Sequence, residues 1–170
     1  NSVKIMNRLL SNLTDRFSIS ISKFDGGNLR NAIPREAFAT ITVGEAFVSQ
    51  IQQTIDEYVL TLKDEFGSLE TELKITFKAT KLPESVMDLE DQTKLLNALT
   101  GCPHGVINWS KEMDNLVETS TNLASVKFIE GNIIKIVATQ RSSIESSKHD
   151  VASMVEACLK LGGATVTHPD

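Results

Sequence analysis

Many of the features that usually announce a protein's function are scarce in this sequence. Cysteine occurs twice, at Cys102 and Cys158, without the close spacing of a zinc or redox motif. That usage fits reduced thiols in a cytoplasmic protein. The three histidines, His104, His149 and His168, are equally scattered, with no H-E-x-x-H pair or carboxylate cluster around them. No metal site is therefore expected from this chain's own residues. Lys and Arg number 17 against 22 Asp and Glu, and the net charge of -5 offers no basic footprint for a phosphate backbone, which excludes nucleic acid as a partner. No apolar run approaches the roughly 18 residues of a membrane-spanning helix, and no charged-then-apolar leader opens the chain, so neither a span nor a signal peptide is read here. A dinucleotide fingerprint is also missing, because Gly26-Gly27 lacks the later glycine and does not open directly onto a helix.

What is present is a balanced globular composition: 170 residues, 41% hydrophobic and 23% charged, enough for one compact domain with a core. The start on Asn1, already inside a helical pattern, predicts a piece of a longer chain. Val3, Met6, Leu9, Leu10 and Leu13 recur at helical spacing over about Ser2 to Asn12. The period then changes to two, with Phe17, Ile19 and Ile21 alternating with serines to form a strand that ends at Gly26-Gly27. Ala37 to Val43 alternates again as an antiparallel partner, and a long helix follows on the stripe Phe47, Ile51, Ile55, Tyr58, Leu62 and Phe66, stopped by Gly67. Leu73, Ile75 and Phe77 predict a third strand. Lys81 to Glu90 reads as a connection.

Beyond it the pattern predicts a helix from about Asp88 to Leu99, a loop from Pro103 to Asn115, and a hairpin of Val117–Ile129 and Ile133–Thr139 turning at Glu130-Gly131-Asn132. Ser147-Lys148-His149-Asp150 resembles a capping box opening a last helix, and Ala164 to Thr167 reads as a short final strand. The two halves, 1–80 and 81–170, thus share the order helix, strand, strand, helix, strand. The fold class is α+β: a tandem ferredoxin-like two-layer sandwich, αββαβ twice, with helices on one face of an antiparallel sheet. Each half is one initial strand short of the full unit, and for the first half that strand would lie upstream of Asn1.

Few residues carry chemistry. Ser142-Ser143 and Ser146-Ser147 are turn and cap residues, and the acidic run from Glu84 to Asp91 is a solvated linker. Two side chains stand out. Asn31 directly precedes Ala32-Ile33-Pro34, where an amide both donates and accepts. Arg141 follows a strongly apolar strand and presents a planar fork suited to a carboxylate. On the residues alone the simpler explanations are a turn stabilised by Asn31 and a surface charge at Arg141.

The stretch Gly26-Gly27-Asn28-Leu29-Arg30-Asn31-Ala32-Ile33-Pro34-Arg35-Glu36-Ala37-Phe38-Ala39-Thr40 resembles the corresponding stretch of the aminoacyl-histidine dipeptidases, the bacterial peptidase D or carnosinase-like di-zinc metallopeptidases. Leu95–Leu99 with Pro103–Val106, Val117–Leu123 and Arg141–Ser146 fit in the same order. The resemblance implies a lid domain set into a catalytic domain that holds two zinc or similar divalent ions. That domain lies outside this chain, so no catalytic or metal residue falls here and the chain alone should be inactive. It further implies that Asn31 and Arg141 reach a dipeptide substrate when the lid closes, the arginine taking the C-terminal carboxylate. A homodimer contact and a cytoplasmic location follow from the same likeness. Asn122 as a counterpart of Asn31 is left open, and His104 is assigned no role. The alternative is a stand-alone tandem ferredoxin-like module that binds a small ligand or serves oligomerisation.

Overall fold

The computed structural model describes residues 1–70, 72–130 and 132–168. Helix α1 spans Ser2–Phe17, five residues longer than the heptad pattern alone marks, because Leu13 and Phe17 continue its buried stripe. Asn1 caps it, its side-chain oxygen accepting from the amides of Val3 and Lys4, and Ser18 ends it in the left-handed region at φ 50°. Phe17 is therefore helical, and the two-residue period starts at Ile19. Strand β1 (Ser20–Gly26) pairs antiparallel with β2 (Ala37–Thr42). A bulge between Ile21 and Lys23 shifts the phase, so that Ile21 and Phe24 both face the core.

A 3-10 turn at Glu45–Phe47 leads into α2 (Val48–Phe66), which packs on α1 through Ile51, Ile55 and Leu62. Tyr58 Oη donates to the Ile5 carbonyl at 3.0 Å, and burial pushes its phenol up to about 12. Helix α3 (Leu89–Gly101) starts at its cap Asp88 and is followed by β3 (Gly105–Trp109), β4 (Val117–Ile129), β5 (Ile133–Ser142) and α4 (Glu145–Leu161). The five strands form one sheet: β2, β1, β4 and β3 in order, with β5 on the other edge of β4. Strands from both halves of the sequence meet where Gly26 pairs with Val126. The helices lie on one side of this antiparallel sheet, so the α+β class stands.

Several local expectations are corrected. The segment around Leu73, Ile75 and Phe77 keeps the anticipated alternation of half-buried and exposed residues, and Ile75 and Phe77 pack on the core. It forms no strand, because its backbone finds no ladder partner among the described residues. Ala164 to Thr167 is likewise not a strand. Ala164 N–H turns back onto the Leu159 carbonyl, and Val166 packs against Cys102, Val155 and Leu159. The stretch taken as loop after Pro103 contains β3, whose two register shifts erased any period in the sequence. Helix α4 begins two residues before the supposed capping box, with Ile144 at its N-cap and no side-chain cap. Met154 on that helix is 45% exposed. Gly131 of the β4–β5 turn lies outside the described residues.

One buried amide organises the edge of β1 that faces away from β2. Gln92 is 1% exposed; its Oε1 accepts from Ile21 N at 2.7 Å, and its Nε2 donates to the Ile19 carbonyl and Thr14 Oγ1, both at 3.0 Å. Met87 N–H adds a bond to the Ile21 carbonyl at 2.7 Å. A side chain and a stretch of connection therefore do there what a neighbouring strand would otherwise do.

Candidate functional site

The loop between β1 and β2 folds back over the uncovered face of the sheet. Gly27 makes this possible: its φ is +73°, and a Cβ placed there would lie 2.0 Å from the Ala124 carbonyl oxygen, so only glycine lets the two backbones approach. Pro34 is buried, and its carbonyl accepts from Ser2 N at 2.9 Å at the start of α1. Three side chains of the β4–β5 ladder and its neighbourhood hold the loop from below. Thr139 Oγ1 donates to the Arg30 carbonyl at 2.8 Å, Asn122 Nδ2 donates to the Ala32 carbonyl at 2.8 Å, and Lys127 Nζ donates to Asn28 Oδ1 at 3.0 Å.

Asn31 is thereby fixed between two anchored carbonyls while its own side chain stays exposed, without a hydrogen-bond partner among the described residues. Arg141 occupies β5 itself, opposite Ser120, two residues after Thr139, which stands opposite Asn122. Strand alternation puts Thr139 and Arg141 on one face. Gln140 between them points the other way and bonds buried Thr121 Oγ1 at 3.2 Å. Arg141 is exposed, and among the described residues its guanidinium has no ion pair or hydrogen bond. The fold thus gathers the loop carrying Asn31 and the strand carrying Arg141 on the same side of the sheet.

Asn122, on β4 opposite Thr139, adds the second tie between this loop and the β4–β5 ladder. Its Oδ1 also accepts from Asn1 Nδ2 at 3.4 Å, linking the capped start of α1 to the same point. Asn1 Nδ2 donates to the Leu123 carbonyl at 2.9 Å, and His104 Nδ1 accepts from Leu123 N at 3.3 Å. The second ring nitrogen of neutral His104 therefore carries its proton. Burial, aided by the positive charges of the Asn1 amino group and of Lys4, pushes this imidazole down to about 4. Lys4 itself reaches over the end of α3, donating to the carbonyls of Leu99, Thr100 and Cys102 at 2.6, 3.0 and 2.9 Å, which are groups a helix end leaves unpaired. Nothing in the sequence pattern pointed to these links, because each joins residues far apart in the chain.

The other reactive groups offer little. Both cysteines are free, and burial pushes the Cys102 thiol up to about 11, away from nucleophilic thiolate character. Among the described residues no three His, Cys, Asp or Glu side chains converge to hold a metal ion, and no helix is long and apolar enough to cross a membrane.

Comparison with known proteins bears on this geometry. Residues 1–70 match a family of M20 peptidases described as a peptidase dimerisation domain. The chain is 33% identical over 164 residues to the cytosol non-specific dipeptidase of Escherichia coli (strain K12), covering 96% of this chain and 34% of that protein. It also superposes on the crystal structure of the aminoacylhistidine dipeptidase from Vibrio alginolyticus with a TM-score of 0.93 and 32% identity, covering 97% of this chain and 34% of that one. The chain therefore spans about a third of the length of each relative.

Proposed function

We propose that this chain is the lid of a cytoplasmic metallo-dipeptidase that hydrolyses Xaa-His dipeptides, since residues 1–70 match a peptidase dimerisation domain and nearly the whole chain is similar to one segment of two dipeptidases. The observation that carries this reading is the pair Asn31 and Arg141, two exposed and uncommitted polar side chains brought to one face of the sheet by an anchored loop. Arg141 offers a bidentate fork to the substrate's C-terminal carboxylate, and Asn31 offers a donor and an acceptor to a backbone polar group. Closing such a face over a cleft excludes water and fixes the peptide's length and orientation.

Among the described residues no cluster of ligands comes together that would fit a two-zinc centre. The metals, and the activation of water they supply, are assigned to the catalytic domain of the whole enzyme, and the chain alone is read as inactive. The test is Arg141→Ala in the full-length enzyme. It should raise KM and lower kcat/KM for Xaa-His dipeptides by a factor on the order of 10² while leaving metal content unchanged. Unaltered kinetics would remove the assignment.

A second role rests on the matched family description and on β2, whose outer edge has no partner among the described residues. We propose that this chain also makes the homodimer contact of the parent enzyme. Sedimentation of the full-length protein should show a dimer, and deletion of this segment should leave a monomer.

A further inference from the structure

We propose that Asn122 and Thr139 are positioning residues that set the distance between Asn31 and Arg141. The inference rests on the reading of those two side chains as substrate contacts, and deepens it. Asn122 and Thr139 are directly opposed in the β4–β5 ladder. Their side chains project onto the uncovered face and reach the carbonyls of Ala32 and Arg30, each at 2.8 Å. The two carbonyls flank Asn31 on either side. One cross-strand pair thus grips the loop symmetrically about the residue that would touch substrate.

The strand position matters as much as the bonds. Arg141 follows Thr139 by one outward-facing step of the same strand, about 7 Å along it. Asn31 is hung from that strand at Thr139, so any movement of β5 carries both side chains together. Without the grip the loop would keep its glycine-dependent base at Gly27 and the Pro34 contact to α1. Asn31 would then be free to wander relative to the arginine. Two contacts at fixed separation measure a substrate's length; two contacts on independently moving parts do not. Asn122 is the deeper anchor, because it is only partly exposed and is itself held by Asn1, whereas the Thr139 bond is open to water.

The experiment uses the full-length dipeptidase. Thr139→Val keeps shape and removes the donor, and it should lower kcat/KM on a dipeptide about three-fold, a part of what removing Asn31 itself would cost, in line with misplacing a contact by a fraction of an ångström. Thr139→Ser restores the hydroxyl and should recover most of that loss. Asn122→Leu should cost more than Thr139→Val. In an Asn31→Ala background, Thr139→Val should add no further loss, since the group it positions is gone. A residue with only a structural role would instead give the same fold loss in both backgrounds, and that outcome overturns the proposal. So does a Thr139→Val enzyme of wild-type activity alongside crippled Arg141→Ala and Asn31→Ala enzymes, which leaves the substrate-contact reading intact. If Arg141→Ala and Asn31→Ala are themselves fully active, the underlying reading fails and the positioning role falls with it.

Discussion

Gln92 and Asn31 are both side-chain amides at the margin of β1, and the fold uses them in opposite ways. Gln92, on the helix-covered side, spends its acceptor and its amino group on Ile21, Ile19 and Thr14 in a place that water does not reach. Asn31, on the uncovered side, spends nothing on its surroundings, while the backbone on either side of it is tied down. A satisfied buried amide holds two segments in register; an unsatisfied exposed amide on a fixed backbone is available to something that is not part of the chain. Arg141 belongs to the second kind and Lys4 to the first. The contrast extends to the whole sheet, one face of which is closed by helices over Leu10, Phe24, Leu99 and Leu123 while the other carries an anchored polar loop.

Substitutions should separate these two kinds of polar group. The largest expected effect is at the loop's base. Gly27→Ala forces a Cβ onto the Ala124 carbonyl at a positive φ, and urea unfolding of the chain should show a loss of about 3 kcal/mol or more. A loss under about 1 kcal/mol would mean that the loop does not need its close approach to β4. Gln92→Leu comes next: it leaves Ile21 N–H and the Ile19 carbonyl without partners in the core and should cost about 2–3 kcal/mol by the same measurement. Asn31→Ala is the counterpart on the other face. Its stability should stay within about 0.5 kcal/mol of the parent, while kcat/KM of the full-length enzyme falls roughly ten-fold. If Asn31→Ala destabilised the chain as Gln92→Leu does, the distinction between the two amides would be lost.

The smallest effect concerns pH. His104 is held below its ordinary value, so the unfolded chain takes up its proton first, and this group's contribution to stability is lost as pH falls from about 6.5 toward about 4. Because the ring is only partly buried, screening reduces the effect to under about 1 kcal/mol. Unfolding of the parent and of His104→Gln at several pH values should show a difference that shrinks across that window. A constant difference would show that His104 does not titrate in this way.

The elements were legible wherever local pattern and burial agreed. Helix α1, the β1–β2 hairpin, α2, α3, the β4–β5 hairpin and α4 all follow from apolar periodicity, with the stop of α2 at Gly67. The strand errors fall where an element depends on a remote partner. The segment at Leu73–Phe77 has the alternation of a strand, but a strand also needs a neighbour. β3 has a neighbour, and its bulges hide the alternation. Phe17 could be counted in either period, and only its burial beside Leu13 on α1 decides for the helix.

The amino-acid sequence by itself determined the class of fold, the loop from Gly26 to Phe38 as the site of polar interest, and Asn31 and Arg141 as its two candidate side chains. These follow from short-range facts: backbone freedom at glycine, fixed φ at proline, and the donor geometry of amide and guanidinium. Only the tertiary structure decided that the two halves build one sheet, that Gln92 closes the edge of β1, and that Asn122 and Thr139 carry the loop of Asn31 to the strand of Arg141. Those outcomes rest on hydrogen bonds between residues far apart in the chain. Whether such groups end up satisfied or free depends on which segments the folded core brings together.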